Sequence, residues 1–387
     1  MTQTRIWQNE YSVWVTQDKH SHAYAVLSGP VALGMAKILK LPAANTAPKC
    51  LACHAINVSV SERARTFDIS DGVSCESCHG PASAWLGPHT TVGWTHEQSV
   101  KLGMFDTRNL VQRTERCLEC HLGAKDKYVD HEMLAAGHPD LYFELDSFEA
   151  TMPRHWKQPL EQDAWRDVRD WGTGQAVQLS AEMKYLKNLT QHETWPEYAQ
   201  LDCFACHHDL VKTENSWRQR RGYAGRRPGN PPWNSSRYIV FRVMARAFDP
   251  GRAERLDATL GKVEAEMSRA APDRAKVAAS ASETAEVLDD LAQQIATMRY
   301  DQAMTLKLMR DISGDTDGIS MSGERSAEQA AMSLNSLFLA YSRNVKLANE
   351  SDLRSAIGGL YQQLQNPSAY DGFQFATQMR KVNALLR

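Results

Sequence analysis

Every cysteine in this 387-residue chain belongs to one repeated pattern. The four copies read Cys50-Leu-Ala-Cys53-His54, Cys75-Glu-Ser-Cys78-His79, Cys117-Leu-Glu-Cys120-His121 and Cys203-Phe-Ala-Cys206-His207. Each is C-x-x-C-H, the attachment signature of a c-type haem. Two thiols three residues apart add to the two vinyl groups on one porphyrin edge. The next residue then offers a neutral imidazole to the iron. Other uses of the cysteines fit less well. Disulfides would not place a histidine after every second cysteine, and zinc knuckles would not need it. A thioredoxin-like redox pair occurs once per domain, inside a βαβ unit. Four copies that use all eight cysteines therefore predict four covalent haems, with His54, His79, His121 and His207 as proximal ligands.

Nine histidines remain, and none of the thirteen lies beyond His208. The final 179 residues contain neither cysteine nor histidine. A surplus confined to the haem-bearing part predicts second axial ligands. Two imidazoles per iron suit electron transfer, whereas an iron with one protein ligand keeps an open site. The distal candidates are His20, His89, His131, His138, His155 and His208. Residues 9–29 read as one helix whose stripe Val13, His20, Tyr24 and Leu27 turns His20 inward and His22 outward. His138 sits in a tight Ala-Gly-His-Pro turn, and His131 lies on a helix seven residues earlier. His89 follows Pro88, and His155 stands between Arg154 and Trp156. His208 is too close to His207 to share its iron but can serve a neighbouring one. His96 and His192 read as surface residues.

The fold class expected is mostly α: a multihaem domain of short helices and loops wrapped around four haems, followed by an all-α bundle. Attachment motifs only 25, 42 and 86 residues apart leave the porphyrins to form much of the core. Trp7, Trp14, Trp85, Trp94, Trp156 and Trp165 are placed to pack against them. The expected domains are 1–211 for the haems, a linker over 212–235, and a haem-free bundle over 236–387. Arginines, glycines and prolines crowd the linker, and some of the arginines are suited to pair with haem propionates. Beyond it, stripes such as Leu256, Leu260, Val263 and Met267 predict six or seven antiparallel helices. Ser326, with Gln329 three residues later, reads as a helix cap. A net charge of −2 argues against nucleic acid as a partner. No uninterrupted apolar run is long enough to span a membrane.

The chain resembles the cytochrome c-554/c-prime family of multihaem c-type cytochromes. The likeness is carried by Trp14-x-x-x-Asp18-x-His20-x-x-Ala23, by Gly72-Val-Ser-Cys75-Glu-Ser-Cys78-His79-Gly80-Pro81 followed by His89, and by the third attachment motif. Larger members of the group share the contexts of His138, Phe143-Glu144 and His155-Trp156, and a final Cys-His-His-Asp. The resemblance implies that His20 and His89 are distal ligands, that haems pack closely, and that electrons pass among them. It also implies an open iron at the motif of Cys50 and His54. This chain departs from the tetrahaem type member in having no motif ahead of the His20 segment and a fourth motif at Cys203.

The function expected is electron transfer between a dehydrogenase or quinol-oxidising donor and a terminal reductase or surface acceptor. The alternative is an oxidoreductase with one open haem, acting on a small nitrogen or sulfur species. A third reading, a filament of stacked haems, is disfavoured by the bulky haem-free part. That part offers a docking or oligomer surface. Haem attachment to C-x-x-C-H takes place outside the bacterial cytoplasm, so the expected location is the periplasm or cell surface, although the given chain opens without an apolar signal core.

Overall fold

The computed structural model describes residues 9–156, 163–207 and 230–387. These residues are mostly helical and form no strand, only two isolated bridges. The chain divides into two compact units. One comprises residues 1–141 and 150–162, the other 142–149 and 163–387.

Short helices and turns make up the first unit. They are α1 (Glu10–Gln17), α2 (Pro30–Ile38), α3 (Pro48–His54), α4 (Cys75–His79), α5 (His96–Lys101), α6 (Leu110–His121) and α7 (His131–Ala135). The single helix expected over 9–29 breaks into α1 and two 3-10 turns, Lys19–His22 and Ala25–Ser28. Asp18 causes the break: its backbone is extended and its side chain caps the next turn by accepting from the His20 amide at 3.0 Å. His20 still turns inward while His22 is exposed. The core beside the first motif is built of small residues. Leu27, Ala32, Ala36, Ala44, Leu51 and Ala55 pack together, with Cys50 against them. Trp14 and Trp85 are buried, whereas Trp156 is 38% exposed.

The second unit is a helical bundle. It contains α8 (Leu145–Thr151, the last two residues of which fall in the first unit), α9 (Arg166–Leu189), α10 (Ser236–Phe248), α11 (Pro250–Met267) and α12 (Arg274–Thr297). The rest are α13 (Gln302–Gly314), α14 (Thr316–Ser320), α15 (Glu324–Asn344), α16 (Glu350–Gln362) and α17 (Gly372–Leu385). Leu256, Leu260, Val263 and Met267 are buried as their periodicity requires, and so are Leu334, Leu337, Phe338 and Tyr341. Each fully buried Leu or Phe stabilises the fold by roughly 1.5–3 kcal/mol relative to exposure.

Several boundaries differ from the sequence reading. Helix α9 belongs with the bundle, because it packs along α12 and is also covered by α10 and α15. The compact units therefore part near residue 162 rather than 211. The expected linker 212–235 is only partly described, and its arginine cluster lies outside the described residues. Its last residues are not a free tether. Asp202 N–H donates to Pro232 O and Asn234 N–H to Gln200 O, both at 3.0 Å, and Trp233 is buried. Eight helices, not six or seven, follow residue 235, since the breaker-rich stretch 314–323 contains α14. Ser326 lies inside α15, donating to Ser322 O, and Gly323 is the residue at its start.

Two glycines let the segment 142–149 and helix α10 approach α9. A Cβ on Gly174 would lie 2.7 Å from Leu145 Cβ. Gly174→Val is expected to destabilise the bundle by about 1–3 kcal/mol through overpacking. Gly261→Ala, on an open face of α11, is expected to stabilise it by about 0.5–1 kcal/mol. Urea unfolding of the two variants against the parent checks both signs.

Candidate haem-binding centre

The first three attachment motifs are shaped by helix ends. In α3, α4 and α6 the C-x-x-C-H segment forms the last turn, and the motif histidine is the final helical residue. Residues i and i+3 share a helix face, so this turn aims both thiols to one side. Pro48 starts α3 at the position where a missing N–H costs nothing. The fourth motif forms a 3-10 turn, Cys203–Ala205, capped by Asp202. No disulfide joins any of the eight cysteines.

Each of the first three motif histidines faces a histidine from outside the motifs. His54 faces His138 with ring centroids 6.5 Å apart, His79 faces His155 at 6.3 Å, and His121 faces His20 at 6.1 Å. The ring planes cross at 85°, 83° and 84° respectively. Edge-to-face contact between aromatic rings spans this distance range by itself. The selection of partners is the informative part, because all three contacts join a motif histidine to a distant one. A metal bound by one nitrogen of each imidazole, at about 2 Å a side, also sets the centroids roughly 6 Å apart. The residues present thus fit an iron held between two histidines.

The outer nitrogens fix which inner nitrogen is offered. His54 Nδ1–H donates to Ala23 O at 2.8 Å and His138 Nδ1–H to Pro139 O at 2.7 Å. His20 Nδ1–H donates to Asp18 Oδ1 at 2.9 Å. A carbonyl or carboxylate oxygen can only accept, so Nδ1 carries the proton and Nε2 keeps its lone pair for a metal. His155 Nδ1 makes a longer contact of 3.4 Å to Pro153 O, and His79 Nδ1 is buried without a hydrogen-bond partner. Burial pushes His79 and His121 down to about 4, with the nearby His155 and His20 adding to the respective shifts. Both are thus held in the neutral form that ligates metals.

The motifs also approach one another. The thiols of Cys53 and Cys120, from the first and third motifs, act on each other, Cys53 being pushed up and Cys120 down to about 7. Gly72, three residues before Cys75, has φ +67°, and a Cβ there would lie 3.0 Å from His20 O. Its successor Val73 donates to the same oxygen at 3.1 Å. The second motif is thereby tied to the segment that carries His20.

The other histidine candidates fall differently. His89 is half-buried and meets Trp85 edge-on at 6.0 Å. The resemblance made it a distal ligand, but the three motif histidines of its own unit are already faced by His20, His138 and His155. His131 opens α7, half-buried, behind the Asp130 cap. His207 lies in the second unit, and His208 lies outside the described residues. His96 is not a surface residue: its Nε2 pairs with Asp106 at 2.8 Å, and its side chain is only 10% exposed. The open iron expected at His54 is not mirrored in the geometry, since His138 stands opposite. Sequence reasoning passed over Asp18 as a partner of His20. The available signal was an acid two residues ahead of an inward histidine, a spacing that suits a capping turn.

Residues 6–80 match the family model described as cytochrome c554 and c-prime. That stretch contains the first two attachment motifs and His20. That stretch is similar to a family of c-type cytochromes. The family implies covalently bound haem and electron transfer as the activity. No curated protein and no solved structure matches the chain. Among the described residues, no helix is long and apolar enough to cross a membrane.

A left-handed backbone with a crowded Cβ position makes Gly72 hard to replace. Gly72→Ala is expected to cost about 1–3 kcal/mol in strain. Thermal unfolding should show a lowered midpoint for Gly72→Ala and none for Gly34→Ala, whose added Cβ meets nothing within 4 Å.

Proposed function

We propose that the protein is a tetrahaem c-type cytochrome that passes electrons between redox partners through haems with mostly paired histidine ligands. The observation that carries this reading is the three-fold juxtaposition of a motif histidine with a distant histidine at 6.1–6.5 Å. Bound haem supplies one-electron chemistry with little change in geometry when both axial positions are filled.

The chain's own residues have three tasks in this reading. The cysteine pairs at 50/53, 75/78, 117/120 and 203/206 fix each porphyrin by one edge. His54, His79 and His121 supply one imidazole, and His138, His155 and His20 the other. Asp18, Ala23 O and Pro139 O hold the Nδ1–H groups of His20, His54 and His138, which orients the rings. The fourth motif supplies His207, with His89, His131 and His208 as the remaining distal candidates. The mutual influence of Cys53 and Cys120 supports close approach of the first and third motifs, which would favour rapid exchange between haems held there.

The proposed setting is the periplasm or cell surface, where covalent haem attachment occurs. The proposed partners are a dehydrogenase or quinol-oxidising donor and a terminal reductase or surface acceptor. The bundle is offered as their docking face or as an oligomer contact. His138 opposite His54 weighs against an open iron at the first motif, and with it against an enzyme built on that haem.

Intact-mass analysis of the holoprotein should show four added haems. Cys75→Ser with Cys78→Ser should show three. Oxidised holoprotein should give only low-spin signals in EPR from the first three motifs. His138→Ala, His155→Ala and His20→Ala should each convert one haem to high spin and let it bind carbon monoxide. Fewer than four haems, or variants that leave every haem low-spin, would sink the reading.

A further inference from the structure

Asp18 stands out as a buried charge that electron transfer by itself does not require. The residue is 3% exposed, in the extended link between α1 and the Lys19–His22 turn. One oxygen, Oδ1, accepts from both the His20 amide at 3.0 Å and the His20 ring Nδ1–H at 2.9 Å. Oδ1 only accepts in both bonds, as a carboxylate does. The group is therefore an anion set against an imidazole whose inner nitrogen faces His121. The second motif lies close by, since Val73, two residues before Cys75, donates to His20 O at 3.1 Å.

The neighbouring histidines show what Asp18 adds. His54 and His138 have neutral carbonyl acceptors at Nδ1, and His79 Nδ1 has none. Among these, His20 alone bonds to a carboxylate. A carboxylate that accepts the outer N–H of a metal-bound imidazole raises its basicity and fixes its orientation. A more basic ligand and a nearby fixed negative charge both favour the ferric over the ferrous ion. Countercharges are present: Arg116 and Lys127 act on Cys78 and Cys120, but both pair with Glu119, at 2.9 and 3.0 Å.

We infer that Asp18 is a positioning residue that lowers the reduction potential of the haem held between His20 and His121, and to a lesser degree that of the haem held between His79 and His155. It acts on the first through a hydrogen bond and on the second only through its charge. At the His54–His138 pair the outer nitrogens bond to main-chain carbonyls, and Asp140 acts on His138 only through its charge. Asp18 thereby grades the potentials of the cluster and gives electron flow through it a direction. The inference rests on the ligand pairs proposed above.

Spectroelectrochemical titration of the holoprotein, with EPR to assign each haem, tests it. Asp18→Asn keeps an oxygen that can cap the turn and accept the His20 N–H, but removes the charge. One midpoint should rise so that the reduced-to-oxidised ratio at fixed potential increases about tenfold, about 59 mV for one electron. A second midpoint should rise less, and a third should stay. Asp18→Glu should keep the low midpoint. Asp18→Ser, which also caps well, should behave as Asp18→Asn and guards against a failure of either to assemble. Midpoints unchanged in both neutral variants, lowered, or moved equally for all haems would overturn the inference. The two readings are separable through His20→Ala. If it creates a high-spin haem while Asp18→Asn moves nothing, the ligand pair stands and the tuning falls. If it leaves all haems low-spin, the ligand assignment itself falls.

Discussion

The first compact unit depends on imidazoles meeting across the chain. His54 meets a histidine 84 residues later, His79 one 76 residues later, and His121 one 101 residues earlier. Other ties across the unit are single hydrogen bonds, such as Trp14 Nε1–H to Val73 O and Val73 N–H to His20 O, and the Lys49–Asp130 ion pair. Its core beside the first motif consists of four alanines and two leucines, too little apolar area to order so many loops unaided. In the proposed holoprotein, each pair would join two remote segments through one iron. Folding and haem loading are then one process, as in other proteins whose ligands assemble only in the native state.

Around those pairs, unremarkable backbone features set the geometry. Helix ends place the motif histidines, and a capping aspartate, a tight Ala-Gly-His-Pro turn and a left-handed glycine place their partners. The groups that hold the outer nitrogens are mostly main-chain carbonyls. Asp18 differs from these in carrying charge, and a charge near a redox centre alters its equilibrium as well as its shape. One residue can in this way serve the fold, as a cap, and the chemistry, as a fixed field.

The second unit is organised by different physics. Helix α9 is buried on nearly every side, with Trp171, Leu179, Met183 and Leu186 fully enclosed. It also buries polar groups, and several are anchored across the bundle. Ser180 Oγ donates to Asp289 at 2.5 Å, and Arg237 pairs with Glu182 at 3.3 Å. The segment 142–149 joins in through Glu144, which accepts from Ser147 and Ser336 hydroxyls at 2.6 and 2.7 Å. Ordinary apolar burial and specific polar ties stabilise this unit, and its helices from α10 onward contain no cysteine or histidine.

Much of this was legible in the sequence. Thiol spacing and the adjacent histidine are local properties of five residues, so the proposed attachment points are read from the residues alone. Helical periodicity likewise placed the buried stripes of α11, α12 and α15. The sequence also supplied the pool of partner histidines but could not match them, since a pairing across 76 to 101 residues has no local signature. Tertiary structure decided that His138, His155 and His20, and not His89, stand opposite the first three motif histidines. It also moved α9 from the haem region to the bundle, because a helix buried on all sides takes its allegiance from what covers it. Local chemistry determined where the thiol pairs and their adjacent histidines stand, and only packing decided which distant side chains face the first three motifs.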